Sequence, residues 1–216
     1  MKGLLKIAMF GPQGSGKGTQ AEMLAKKYNL GVLSPGEVFR QEIKNQTELG
    51  KLADSLINKG QLVPDEIVNK IIVGELSAPK YQNGFILDGY PRNINQLEFL
   101  EKNIGLDWAI LFTISDEEVQ KRLASRRVCP KCGAIYNIIN KPPRRDEICD
   151  VCGEHLVVRD DDKPEAIAKR LQIYHTETEP ILGYYVKEGK LIEVQGVGAI
   201  KKIFEDIVMK LEEKTQ

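Results

Sequence analysis

The run Leu4-Leu5-Lys6-Ile7-Ala8-Met9-Phe10, with the turn Gly11-Pro12-Gln13-Gly14-Ser15-Gly16-Lys17-Gly18-Thr19 after it, constrains this chain more than any other stretch. A short, mostly apolar run that stops at Gly-Pro reads as a buried strand. Residues 17–28 are helix formers, with Ala21, Leu24, Ala25 and Tyr28 on one face. A glycine-rich turn between strand and helix, carrying a lysine at the helix start, fits the pattern G-x-x-x-x-G-K-[ST]. Gly18 stands where Ser or Thr usually follows the lysine, and Thr19 comes one position later. In such a turn successive backbone N–H groups close around phosphate oxygens, and the helix N-terminus adds its partial positive charge. Lys17 supplies a point charge for the β/γ-phosphates of a nucleotide. The correct flanks argue against a plain Gly-rich turn with a chance lysine.

Further along, 30–33, 85–87, 108–114 and 191–194 read as strands, and helical stretches separate them. That alternation predicts an α/β fold with a five-stranded parallel sheet flanked by helices. Ser115-x-x-Glu118 is a capping box opening a helix that the pattern carries to about Arg126. On one helix Arg122 and Arg126, four apart, share a face. Pro164 at a first helical position opens a helix over 163–183 that returns Arg170 to the core. Residues 199–211 form a closing amphipathic helix. Two stretches break the alternation. Residues 36–60 read as two short helices, with Gly60 as a stop and Pro64 opening the next, and 127–160 holds every cysteine. The expected organisation is a core of 1–33, 64–126 and 161–216 with inserted lobes at 34–63 and 127–160.

The cysteines fall as Cys129-x2-Cys132-x16-Cys149-x2-Cys152. Two C-x-x-C turns at that gap read as a metal site, because each turn aims two thiolates at one point and the pair completes a tetrahedral shell. Gly133 and Gly153 follow the pairs and can take the positive φ of a tight turn. Four thiolates leave no open position for water, so the expected zinc is structural and His155 is a bystander. Reduced thiols favour the cytoplasm. The 130–143 stretch has no helical period and is expected to form short strands around the metal. Charge completes the exclusions: 31 Lys+Arg against 31 Asp+Glu give no bulk attraction for nucleic acid or anionic lipid. No uncharged apolar run approaches the roughly 18 residues of a membrane span, and the charged start Met1-Lys2-Gly3-Leu4-Leu5-Lys6 is not a signal peptide.

Gly14-Ser15-Gly16-Lys17-Gly18-Thr19-Gln20, Leu87-Asp88-Gly89-Tyr90-Pro91-Arg92, Arg126-Arg127-Val128 and the 159–170 stretch carry a resemblance along nearly the whole chain. In these segments the sequence resembles the adenylate kinases and, more broadly, the nucleoside monophosphate kinases. Its cysteine set is similar to the zinc-bearing long lid of a bacterial subset. The resemblance implies a P-loop NTPase fold and transfer of the terminal phosphoryl group of Mg-ATP to AMP, giving two ADP. It implies catalytic roles for Lys17, Arg92, Arg126, Arg159 and Arg170. ATP contacts are implied at Gly14, Ser15, Gly16, Lys17, Gly18, Thr19, Arg122, Arg126, Ile135, Tyr136 and the Gly198 backbone. AMP contacts are implied at Pro35, Arg40, Gln61, Leu62, Val63, Gly89, Tyr90, Pro91, Arg92, Gln96, Arg159 and Arg170. Mg²⁺ with ATP falls to Thr19 and Asp88, structural Zn²⁺ to Cys129, Cys132, Cys149 and Cys152, and a monomer with nucleotide partners only is expected. Where the family usually has Ser-Thr-Gly-Asp, this chain has Ser34-Pro35-Gly36-Glu37. Pro35 lacks the hydroxyl expected on the acceptor base, which implies some relaxation toward other monophosphates, while Gln96 favours AMP.

The residues support phosphoryl transfer independently of the resemblance. Asp88 ends a strand beside the glycine-rich loop, as a magnesium-side aspartate should. Five arginines (Arg92, Arg122, Arg126, Arg159, Arg170) near the motifs of a neutral chain point to a polyphosphate. The rivals are a CMP or UMP kinase, a zinc-ribbon nucleic-acid-binding protein built on the basic 122–145 run, and a nucleotide switch without turnover.

Overall fold

The computed structural model describes residues 4–214; Met1-Lys2-Gly3 of the charged start and the last two residues lie outside the described part. In chain order the elements are β1 (Leu5–Phe10), α1 (Lys17–Tyr28), β2 (Gly31–Leu33), α2 (Pro35–Lys44), α3 (Glu48–Ile57), α4 (Asp65–Leu76) and β3 (Gly84–Asp88). Then follow α5 (Ile94–Asn103), β4 (Trp108–Thr113), α6 (Asp116–Ala124), β5 (Arg126–Val128), β6 (Ile135–Asn137), α7 (Pro164–Ile173), α8 (Leu182–Lys187), β7 (Leu191–Gln195) and α9 (Ile200–Lys214). Five strands form one sheet in the order β2-β3-β1-β4-β7, and every pairing in it is parallel.

Alternate side chains of each strand enter opposite cores, as the two-residue period of a strand requires. Ile7, Met9, Ile86, Ile110 and Phe112 pack with Ala21 and Leu24 of α1 and Ile207 and Leu211 of α9. Ala8, Phe10, Phe85, Leu87 and Ala109 face the other way, against Val68 and Ile72 of α4, Leu97 and Leu100 of α5 and Tyr185 of α8. A parallel sheet covered on both faces needs near-continuous apolar strands, which is why these runs are legible in the sequence. Because β1 lies between β3 and β4, the carboxyl ends of these three strands open onto one crevice, the usual ligand position in such a sheet.

Two expectations are corrected. The helix from Ser115 stops at Ala124, and Arg126 opens β5 rather than closing α6. Ser125 is the reason: its hydroxyl donates back to the carbonyls of Lys121 and Arg122, which competes with helix continuation, and β5 then pairs antiparallel with β6. The single helix expected over 163–183 is four pieces. Pro164 starts α7 as expected, but a π-helical turn (Tyr174–Thr178) and a 3-10 turn (Glu179–Ile181) precede α8. Pro180 within that stretch has no N–H to continue the ladder. The expected α2–α3 pair in 36–60 is present, packed hairpin-fashion with Thr47 capping α3. Of the 130–143 stretch, only Ile135–Asn137 is strand.

Candidate functional site

The loop after β1 turns back on itself, with Ser15 N–H donating to the Pro12 carbonyl at 3.2 Å. Gly16 caps α1 at φ 101°, a conformation that suits glycine. Lys17 lies inside this loop. Its Nζ donates to Gly11 O (2.6 Å), Pro12 O (2.8 Å) and Ser15 Oγ (3.2 Å). Burial pushes its pKa down to about 8; Asp88 opposes that, and Arg92, Arg170 and Arg126 reinforce it. Asp88 stands at the end of β3, beside Met9 of β1, with its Oδ2 close enough to Gly18 to touch a Cβ placed there, at 3.4 Å.

Around the loop opens a cleft of about 750 Å³, lined by residues from both ends of the chain. Gly14, Ser15, Gly16, Lys17, Gly18 and Thr19 form one wall, and Arg40, Arg92, Arg122, Arg126, Arg159 and Arg170 all reach it. Ile135 and Tyr136 of β6 and Gly198 beyond β7 line it as well, as do Gly89 and Pro91. A smaller recess beside it is lined by Pro35, Gln61, Leu62, Val63 and Gln96, with Arg40, Arg92 and Arg170 shared. Of the expected site residues only Tyr90 is turned away. Its ring is fully buried and its hydroxyl donates to Asn69 Oδ1 at 2.6 Å, so it lines neither cavity.

Sequence reasoning missed what holds the arginines apart. Arg126 makes a bidentate pair with Asp162, its Nε at 2.7 Å from Oδ2 and its Nη2 on Oδ1. Arg159 does the same with Asp161 at 3.0 and 3.1 Å. Arg170 reaches both, at 3.0 Å from Asp161 Oδ2 and 3.4 Å from Asp162 Oδ1. The Asp162 carboxylate has no exposed surface. For Asp161 burial acts upward, but Arg170 and Arg159 outweigh it and hold the carboxyl below its ordinary range. Burial pulls Arg170 down to about 10 and lowers Arg92 as well. Arg92 donates from Nε to Gly89 O at 2.7 Å. Arg40 pairs with Glu37, leaving its own buried Nε without a partner. Arg122 is braced by Glu118 at 2.8 Å and donates to Gly196 O at 2.9 Å, tying α6 to the segment after β7. A run of three aspartates directly after Arg159 was the available signal, and it reads as a solvated surface until folded.

The cysteine segment repeats one turn twice. Gly133 N–H donates to Cys129 O and Gly153 N–H to Cys149 O, while Cys129 N–H and Cys149 N–H donate to Ala134 O and Glu154 O. Both glycines have positive φ, 77° and 75°. The four thiol sulfurs lie within 4.8 Å of one another, with Cys129–Cys152 at 3.4 Å and Cys132–Cys149 at 3.5 Å. Sulfurs at about 2.3 Å from a shared tetrahedral ion stand roughly 3.8 Å apart, so this donor set fits a metal. His155 is outside the group. Across the cleft, Lys44 at the end of α2 donates to Pro130 O (3.3 Å) and Lys131 O (3.2 Å), so the two stretches flanking the cleft touch.

The sheet order, the glycine-rich loop and the arginine-lined crevice define a P-loop nucleotide-binding protein. A family model described as adenylate kinase matches residues 9–190. The chain is 43% identical over 208 residues to the adenylate kinase of Thermoanaerobacter pseudethanolicus, covering 94% of this chain and 96% of that protein. It is 46% identical over 197 residues to that of Acetivibrio thermocellus, covering 89% and 91%. To that of Methanothrix thermoacetophila it is 45% identical over 208 residues, covering 94% and 96%. The chain belongs to the adenylate kinase family. Among the described residues no helix is long and apolar enough to cross a membrane.

Proposed function

We propose that this chain catalyses reversible transfer of the terminal phosphoryl group of Mg-ATP to AMP, giving two ADP. One observation carries the reading: Lys17, Arg92, Arg126, Arg159 and Arg170 converge on a single cleft beside a phosphate-binding loop. The acceptor is itself a phosphate, whose second pKa is about 6, so its attacking oxygen is already anionic and needs no general base. What the reaction needs is cancellation of repulsion between two polyanions and an in-line approach. The buried cations supply the first. Pairing with Asp161 and Asp162 keeps Arg126, Arg159 and Arg170 aimed before substrate arrives, so little reorganisation is left for the moment of reaction. A phosphate entering the loop raises the Lys17 pKa again, because an opposite charge favours the ammonium.

In this reading ATP lies along the P-loop between Arg122, Arg126, Ile135, Tyr136 and the Gly198 backbone. AMP occupies the recess of Pro35, Gln61, Leu62, Val63 and Gln96, with Arg40, Arg92, Arg159 and Arg170 on its phosphate. Magnesium bound with ATP neutralises charge at the transferred phosphoryl group, and Thr19 and Asp88 are the residues that would hold it. The 34–63 and 127–160 stretches act as lobes that close over the substrates and exclude water, which would otherwise accept the phosphoryl group. Zinc on Cys129, Cys132, Cys149 and Cys152 has a structural role, and thiols kept for a metal suit a reducing compartment such as the cytoplasm. All of these residues come from one chain, which suits a monomer. To test the reading, purified protein is mixed with Mg-ATP and AMP, CMP, UMP or GMP, and ADP formation is followed. AMP is the best acceptor. A preference for CMP or UMP overturns the adenine assignment and leaves the phosphotransferase assignment; no ADP with any acceptor overturns both.

A further inference from the structure

Gln96 on α5 is 2% exposed, and both polar atoms of its amide are already held. Its Nε2 donates to Asp65 Oδ1 at 2.6 Å, and its Oε1 accepts from the Arg92 backbone N–H at 2.8 Å. A carboxylate can only accept and a backbone N–H can only donate. The two partners therefore dictate the same orientation of the amide independently, nitrogen toward α4 and oxygen toward the turn after β3. Asp65 is fixed in turn. Asn93 Nδ2 donates to its Oδ1 at 2.9 Å and Asn95 Nδ2 to its Oδ2 at 3.4 Å. It is also the first residue of α4, where a helix N-terminus favours negative charge.

With those bonds made, Gln96 keeps one N–H and one oxygen lone pair, and it lines the recess with Pro35, Leu62, Val63 and Arg92. The remaining pair is a donor beside an acceptor in a fixed order. An adenine edge offers an acceptor at N1 and a donor at N6, whereas a hypoxanthine edge offers a donor at N1 and an acceptor at O6. A glutamine free to rotate its amide matches either edge, and a locked one matches only one.

We propose that Asp65 is a positioning residue that, together with the Arg92 backbone N–H, locks the Gln96 amide so that the recess takes a 6-aminopurine monophosphate and rejects a 6-oxopurine one. The lock makes the site choose one edge. That the chosen edge is the amino one rests on the reading of this recess as the AMP site.

The test is kcat/KM for AMP and IMP with Mg-ATP in the unmutated protein, Asp65→Asn and Gln96→Leu. In Asp65→Asn the introduced amide can present either an oxygen or a nitrogen to Gln96, so one half of the lock is released while Arg92 N–H retains the other. The AMP-to-IMP ratio then narrows by about three- to tenfold, the scale of one neutral hydrogen bond. The change falls on the KM of the acceptor and leaves the KM for ATP in place. An Asp65→Asn ratio equal to that of the unmutated protein, with a changed ratio in Gln96→Leu, overturns the lock alone. An unchanged ratio in Gln96→Leu overturns the assignment of the recess to the base. Should Asp65→Asn fail to fold, nuclear Overhauser contacts in the unmutated protein decide. The Gln96 Nε2 protons give stronger contacts to the Asp65 β-protons than to the Arg92 amide proton if the lock holds, and the reverse order overturns it.

Discussion

Ile7, Ala8, Ile86, Leu87, Ala109 and Ile110 in the sheet have no exposed surface, whereas the apolar cluster of the cysteine segment is built on Cys129, Tyr136, Cys149 and Leu156. In that segment Ile138, Ile139, Val151 and Val158 are each at least 50% exposed. The sheet is held by removal of apolar surface from water, roughly 25 cal/mol per Å². The cysteine segment cannot be held that way, since a cluster of four buried side chains is too small to order some thirty residues against their conformational entropy. What it has instead is four cysteine sulfurs gathered within 4.8 Å of one another and the short β5–β6 ladder. The comparison assigns different physics to neighbouring parts of one chain, and each part then fails under a different insult.

Metal removal should give the largest difference. In small metal-dependent domains the binding free energy of zinc is on the order of 10 kcal/mol and acts as folding free energy. Treatment with a strong chelator is expected to abolish amide-exchange protection across 127–160 while the amides of β1, β3 and β4 keep theirs. Cys149→Ser should reproduce the effect without chelator. Equal protection in both regions after metal removal would mean that the segment has a core of its own.

Between the two regions lies the Asp161–Asp162 pair with its three arginines, and here neither apolar burial nor metal is the support. Asp162→Ala leaves Arg126 without its bidentate partner and Arg170 with only one carboxylate. Breaking a buried ion pair on one side costs about 3–5 kcal/mol, which urea unfolding should register. Saturating ATP should recover part of that loss, because its phosphates supply the missing negative charge. A loss under about 1 kcal/mol would show the pair to be solvent-screened despite its burial.

Lys17→Met separates chemistry from stability inside the well-packed region. Removing one charge that stabilises a transition state costs about 10²- to 10³-fold in kcat. Stability should change little, because a buried lysine whose pKa burial has pushed down to about 8 carries a desolvation cost that methionine does not. Unchanged kcat in a folded variant would remove the loop from the mechanism.

The same contrast explains what the sequence discloses. Strands buried on both faces are continuous apolar runs, so 85–87 and 108–114 were readable to within a residue or two. Cysteine turns and glycine-rich loops obey spacing rules set by chemistry, so the gathering of Cys129 through Cys152 and the turn of Gly11 through Thr19 are readable too. Features that depend on a distant partner were not. Ser125 ends α6 by bonding backwards, and Arg126 turns into a strand because residues 135–137 are there to pair with it. Asp161 and Asp162 look like a solvated acidic run until Arg126 of β5 and Arg170 of α7 join Arg159 on them. The side-chain direction of Tyr90 and the partners of Gln96 depend on how α4 packs against α5, which no local pattern records.

The smallest expected effect tests an exposed charge cluster that joins α6 to the turn after α7. His175 in the π-helical turn lies with Nδ1 2.7 Å from Glu179 Oε2 and Nε2 3.0 Å from Asp116 Oδ1, at the start of the helix that leads into the cysteine segment. A carboxylate at each ring nitrogen requires both nitrogens to carry protons, so the charged imidazolium is the form that fits. Hydrogen bonding to Glu179 first, then to Asp116, raises its pKa above the ordinary value against a small opposing effect of burial. A histidine whose folded pKa is raised contributes stability that is complete below the unfolded value near 6.5 and is lost as pH rises through the folded value. All three side chains are exposed by more than 40%, and screening limits such a cluster to under about 1 kcal/mol. His175→Gln should therefore lower the urea midpoint at pH 6 and converge on the unmutated protein by pH 9, with the pH 6 gap shrinking in high salt. A gap of the same size at both pH values would mean that the ring acts by packing against Tyr174, its T-shaped neighbour at 5.3 Å, and that charge does not join α6 to the turn after α7.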